Sequence, residues 1–225
     1  MTTRAVHLNA LRIQAEKVWL DALLACVETP RGLIVLAVPY VLSLKDSRDA
    51  YVAAMLREAG FSTLQICMLT AYEETRDPDL RYDITLFDQR LRAALLWASQ
   101  QPALGALPVG LLTTDTVSAA AIRLLSRSPE AAGALVCRSG RPELAGASPL
   151  RTLHTPILLQ VPGADAERLT ASLQAQALIS APHQWHEYAL ASAGFMEPGT
   201  LDAAARETCA WFSGQLPDAR PDDSA

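Results

Sequence analysis

The chain has 225 residues, half of them apolar and 19% charged, which excludes a disordered or fibrous protein and leaves ample material for a buried core. Nineteen basic against 24 acidic residues give a formal net charge of −5, which argues against the basic face of a nucleic-acid binder. Only Lys17 and Lys45 are lysines, a usage that reflects GC-rich, bacterial-type coding rather than function.

Along the chain, Ala5–Leu11 and Val18–Val27 read as two strands joined by Arg12–Lys17, too short for a crossover helix, so they form an antiparallel hairpin. After Pro30-Arg31-Gly32 comes Leu33–Val38, a continuous apolar run of the kind buried on both faces of a parallel sheet. Similar runs are Thr63–Leu69, Pro108–Leu112, Ala134–Cys137 and Pro156–Val161, with a weaker one at His186–Ala191. Helical patterns lie between and after them at Ser47–Ala59, Ile84–Gln100, Thr116–Ser126, Ala166–Gln176 and Thr200–Gly214. The alternation predicts an α/β fold: about eight strands, mostly parallel, with helices on both faces and right-handed crossovers. Residues 1–214 read as a single domain and the polar, Pro- and Asp-rich 215–225 as a flexible tail.

Cys26, Cys67, Cys137 and Cys209 are widely spaced and form no C-x-x-C, and His7, His154, His183 and His186 add no paired-ligand spacing. Free thiols are therefore expected rather than disulfides, and no metal or cofactor is predicted. No apolar run reaches the ~18 residues of a membrane span, and the first residues lack the apolar stretch of a signal peptide. A cytoplasmic protein is the expectation. No G-x-x-x-x-G-K or G-x-G-x-x-G phosphate loop occurs.

An open parallel sheet keeps its site at the carboxyl ends of its strands. The loops there, taken with Ser47-Arg48-Asp49-Ala50-Tyr51-Val52-Ala53, Arg81-Tyr82-Asp83-Ile84, Ser139-Gly140-Arg141-Pro142-Glu143-Leu144-Ala145-Gly146 and Glu197-Pro198-Gly199 leading to Trp211-Phe212, resemble the α/β-hydrolases, specifically the dienelactone-hydrolase-like family. The resemblance covers nearly the whole chain and implies the α/β-hydrolase fold. It also implies a nucleophile in a G-x-S-x-G or G-x-C-x-G elbow, a triad acid after the penultimate strand and a histidine after the last. Here the elbow reads Thr113-Thr114-Asp115-Thr116-Val117, so Asp115 stands at the nucleophile position and both glycines are replaced. Two β-branched residues at those positions predict a relaxed rather than a sharp turn. Asp165, in Val161-Pro162-Gly163-Ala164-Asp165, matches the triad acid and equally suits a helix N-cap. Counting back from Glu197-Pro198-Gly199, the histidine position holds Ala193.

The segment matching the oxyanion loop is Val38-Pro39-Tyr40-Val41-Leu42-Ser43, and its Pro39 has no N–H to offer a developing charge. Val38, Pro39, Tyr40, Thr114 and Thr116 are expected to line a pocket, and Arg48 or Arg138 to pair with Asp115. Cys137, Ser118 and Ser43 are weaker nucleophile candidates because none has an assignable base. Glu73–Asp79 reads as a solvated acidic loop. With the triad positions degenerate at Asp115, Asp165 and Ala193, the expected function is a non-catalytic binding or interaction protein. The alternative is a hydrolase of esters, lactones or halides that uses Asp115 or an unrecognised nucleophile. The partners this allows are another protein, a second copy of the chain or a small apolar ligand, with neither nucleic acid nor membrane.

Overall fold

The computed structural model describes residues 6–41 and 47–217. Eight strands form one sheet in the order β1-β2-β4-β3-β5-β6-β7-β8. They are β1 (Val6–Ala15), β2 (Val18–Val27), β3 (Leu33–Val38), β4 (Ser62–Cys67), β5 (Val109–Asp115), β6 (Ala134–Gly140), β7 (Ile157–Pro162) and β8 (His183–Tyr188). The hairpin β1–β2 is antiparallel, β2 joins β4 antiparallel, and β4, β3, β5, β6, β7 and β8 pair in parallel. The expected eight-stranded α/β-hydrolase fold is therefore present.

Seven helices accompany the sheet: α1 (Arg48–Glu58), α2 (Ala71–Arg76), α3 (Ile84–Ser99), α4 (Val117–Arg127), α5 (Ala147–Thr152), α6 (Ala166–Gln176) and α7 (Thr200–Gln215). Period-2 alternation inside the fully buried strands sorts the core into two layers. Leu33, Val35 and Ala37 of β3 face the cluster that contains Phe87 and Leu91 of α3 and much of α4. Ile34 and Leu36 face the other side, where Val52 and Leu56 of α1 meet Trp211 and Phe212 of α7. Each large side chain fully buried this way contributes about 1.5–3 kcal/mol.

Four readings shift. Strand β1 runs on to Ala15, because Ile13 and Ala15 keep the buried alternation between exposed Arg12 and Gln14, and the hairpin turns on Glu16 and Lys17 alone. Strand β8 begins three residues earlier than expected; as an edge strand with mostly exposed side chains it carries no apolar run to mark it. Helix α7 extends through Gln215 and Leu216 is buried, so packed structure continues past residue 214. Glu73–Asp79 is no loop either: α2 is nucleated by a capping box between Thr70 and Glu73, and Glu73 forms an ion pair with the buried Arg90. Among the described residues, no helix is long and apolar enough to cross a membrane.

β3 is flanked by β4 and β5, so the connection from β3 to β4 and the next one, from β4 to β5, run in opposite directions across the sheet. That divergence opens a crevice at the carboxyl ends of β3 and β5.

Candidate functional site

The crevice is a cleft of about 230 Å³ at the ends of β3, β5 and β6. Its lining includes Asp115, the last residue of β5, whose backbone is left-handed with φ +50°. Thr116 then turns into α4. The elbow is thus sharp, and the expectation of a relaxed turn is corrected. The room it needs comes from the neighbouring strand. A Cβ at Gly140 of β6 would lie 2.5 Å from Ser118 Oγ, so the glycine that lets strand and helix close up stands across the sheet rather than in the elbow. Thr113 occupies a former glycine position at no polar cost, since its hydroxyl meets Ser118 Oγ at 3.0 Å and donates to the Val136 carbonyl at 3.3 Å. Aspartate is among the residues that tolerate a left-handed backbone best.

Asp115 is held by Arg168, a residue that sequence reasoning missed. Arg168 Nη2 donates to Asp115 Oδ2 at 3.0 Å, its Nη1 donates to the Ser139 carbonyl at 2.7 Å, and its Nε lies 3.2 Å from Asp165 Oδ2. Asp165 also caps α6, with Oδ1 accepting from the Arg168 backbone N–H at 3.0 Å. Asp165, expected at the triad-acid position, is therefore a helix cap that aims an arginine, one turn later, at the elbow. The D-x-x-R spacing was the available signal, but only the fold brings its arginine to a residue 53 positions earlier.

The expected partners of Asp115 are engaged elsewhere. Arg138 pairs with Asp49, both nearly buried, and Arg48 directs Nη1 to the Met196 sulfur. Both arginines still line the cleft. Of the five residues expected to line it, Tyr40 and Thr114 do, whereas Val38, Pro39 and Thr116 are buried and do not. Thr116 is drawn away because its hydroxyl donates to the Arg81 carbonyl. Leu42 and Ser43 lie outside the described residues. Burial, with the charge of Asp49, raises the Tyr40 phenol above its ordinary value against smaller opposing effects of Thr114 and Arg138, so it stays a hydrogen-bond donor at neutral pH.

Ala193, expected from the sequence at the triad-histidine position, lines the cleft beside Gly194 and Phe195. The described residues that line the cleft include no histidine. His183 bonds the Ala181 carbonyl at the start of β8, and His186 pairs with Glu207 of α7 at 2.8 Å. Cys137 is fully buried, and burial pushes its thiol up to about 12 despite hydrogen bonds with Ser118 and Thr113. Among the described residues no group of three or more His, Cys, Asp or Glu side chains is placed to hold a metal. Chemically, the arrangement offers a carboxylate neutralised by a guanidinium that stays protonated and so serves as no base.

No family model matches the sequence. Two Mycobacterium tuberculosis proteins, from strains CDC 1551 and H37Rv, each named "Putative phosphoribosyl transferase", are 37% identical over 189 residues, covering 84% of this chain but 42% of theirs. The chain thus spans well under half the length of these curated relatives. Among solved structures, a cold-adapted esterase from an Arctic intertidal metagenomic library superimposes with a TM-score of 0.75 at 12% identity, over 96% of this chain and 97% of that one. A dienelactone-hydrolase-like promiscuous phosphotriesterase from metagenomic libraries gives 0.69 at 18%, over 94% and 99%. These two share the fold. The dienelactone hydrolase of Anabaena variabilis goes further, with a TM-score of 0.87 and 32% identity over 94% of this chain and 99% of that one. With strand order, elbow and near end-to-end sequence similarity in agreement, the chain belongs to the dienelactone-hydrolase-like family of α/β-hydrolases.

Proposed function

We propose that this chain is a non-catalytic member of its family, a binding protein that uses the former active-site cleft. The observation that carries the reading is Arg168, which bridges Asp115 and Asp165 across the space in which a triad places its imidazole. An acyl-transfer triad needs a group there that accepts the nucleophile's proton and later returns it. An arginine does neither, and Ala193 supplies no alternative. The transferase activity in the name of the mycobacterial relatives is not assigned to this chain, whose sequence carries no glycine-rich phosphate loop.

One observation favours a second reading, a hydrolase with an Asp115 nucleophile: the elbow keeps its left-handed backbone at a non-glycine residue, the kind of backbone that clusters at functional sites. Incubation with p-nitrophenyl acetate and p-nitrophenyl butyrate separates the two. The non-catalytic reading expects background hydrolysis, unchanged in Asp115→Ala. Robust turnover abolished by that substitution establishes the second reading instead.

A further inference from the structure

We propose that the cleft binds a small organic oxyanion, a carboxylate or phosphate monoester with a short apolar body, through Arg48, the Thr114 hydroxyl and the Tyr40 phenol. The inference rests on the non-catalytic reading of this site, since an active hydrolase would release such an acid as product.

Charge pairing carries the argument. Three arginines and two aspartates line the cleft. Asp49 is paired with Arg138, and Asp115 shares Arg168 with Asp165 just outside the lining. Arg48 is the cation left over. It sits exposed at the first position of α1, and among the described residues no carboxylate lies within ion-pair distance of it. Its Nη1 contact is the Met196 thioether, a weak acceptor that an incoming oxyanion readily outcompetes. Its guanidinium lies across the rim, with both terminal nitrogens within 3.3 Å of where a Gly194 Cβ would project.

Polar satisfaction points to the same place. Thr114 is 6% exposed and lines the cleft, and its hydroxyl faces the Tyr40 phenol without a hydrogen bond of good geometry. An unmet buried hydroxyl costs about 1–3 kcal/mol, which a ligand oxygen recovers. The neighbouring Tyr40 phenol supplies a second donor. The lining also includes the apolar side chains of Ala193, Phe195 and Leu201, the first two flanking the Gly194 that Arg48 approaches, so the site offers a ligand hydrocarbon contact beside its charged group. The 230 Å³ volume lies below the roughly 300–1,000 Å³ of drug-sized sites and limits that body to a few carbons or one ring.

The test is titration of the intact protein with sodium butyrate and with phenyl phosphate, followed by calorimetry and amide NMR at constant ionic strength. 1-Butanol and benzyl alcohol serve as uncharged controls. Saturable binding of at least one anion with a Kd of about 1 mM or below is expected, with no saturation by the alcohols. Arg48→Ala should weaken it at least tenfold, about 1.4 kcal/mol. Arg48→Lys should fall between, because an ammonium keeps the charge but loses the two-pronged geometry. Thr114→Val should weaken binding severalfold, with the NMR spectrum otherwise preserved. Failure of both anions to saturate, or equal affinity in Arg48→Ala and wild type, overturns the inference. Ester turnover by the same preparation would overturn the non-catalytic reading alone, so the two failures are distinguishable.

Discussion

Arg168→Met removes a group that joins Asp115 of the elbow to Asp165 while preserving most of the side-chain volume. Three interactions go with it: the contact to Asp115 at 3.0 Å, that to Asp165 at 3.2 Å and the bond to the Ser139 carbonyl at 2.7 Å. Exposed ion pairs contribute about 0.2–1 kcal/mol, and breaking a fully buried one costs about 3–5. Arg168 and Asp115 side chains are 17% and 33% exposed, which places this cluster between those limits. A loss of about 2 kcal/mol is expected, or roughly 4–8 °C in Tm for a chain of this size. Asp115→Asn keeps an oxygen for Arg168 Nη2 but loses the charge, and should cost about 1 kcal/mol. The double variant should be less damaged than the sum of the two, by about 1 kcal/mol, because it leaves no carboxylate stranded at the elbow. Urea denaturation at pH 7, with midpoints compared at unchanged slope, reads all three. Two outcomes would refute the reasoning: Arg168→Met within about 0.5 kcal/mol of wild type, or Asp115→Asn more stable than wild type, as expected of an isolated carboxylate in an apolar setting.

Three further outcomes follow from the same geometry. Combining Asp115→Ser with Ala193→His should leave p-nitrophenyl ester hydrolysis near background, because Arg168 still occupies Asp165 and Pro39 still offers no N–H; efficient hydrolysis would show that neither obstructs the site. Burial alone would raise the Glu73 carboxyl, but hydrogen bonds from Arg90 and Thr70 outweigh it and leave it below its ordinary 4.5. A lowered folded value stabilises the protein above that pH, and the contribution fades as pH falls through the folded value. Glu73→Gln, which strands the 2%-exposed Arg90, should therefore cost about 3 kcal/mol at pH 7 and flatten the acid limb of the stability profile; an unchanged limb would rule Glu73 out as its source. Finally, Cys137 should resist a thiol-specific disulfide reagent at pH 8 in the folded protein, its thiol being buried and pushed up to about 12, and rapid labelling there would contradict its burial.

How much of this was legible in the sequence depended on whether the cause was local. Helix α6 matches the sequence reading residue for residue, and α1 is bounded by the expected Ser47 and Ala59, since cap chemistry and apolar spacing lie within the segment. The capping box at Thr70 and Glu73 was also local, but the acidic run around it obscured the signal. The elbow was misjudged for a different reason. Its close packing belongs to a pair of adjacent strands, and Gly140, 25 positions beyond Asp115, provides what Thr113 and Val117 cannot. Arg168 was missed for the same kind of reason. Its role requires β5, β6 and the start of α6 to be side by side, which no spacing rule shows.

The turn after β8 has a bearing on how quickly the cleft fills. Phe195 adopts φ +52°, is 2% exposed and packs edge-on against Tyr188 with ring centres 5.1 Å apart. Its backbone N–H bonds to Ser192, and Ala191 accepts from Ala164 across the end of β7, so this part of the rim is tied both to itself and to the sheet. A wall fixed in this way is already in its bound shape before any ligand arrives, and little ordering entropy opposes association. Entry should then be a single step whose observed rate rises linearly with ligand concentration, without the plateau that a slow closing motion would impose.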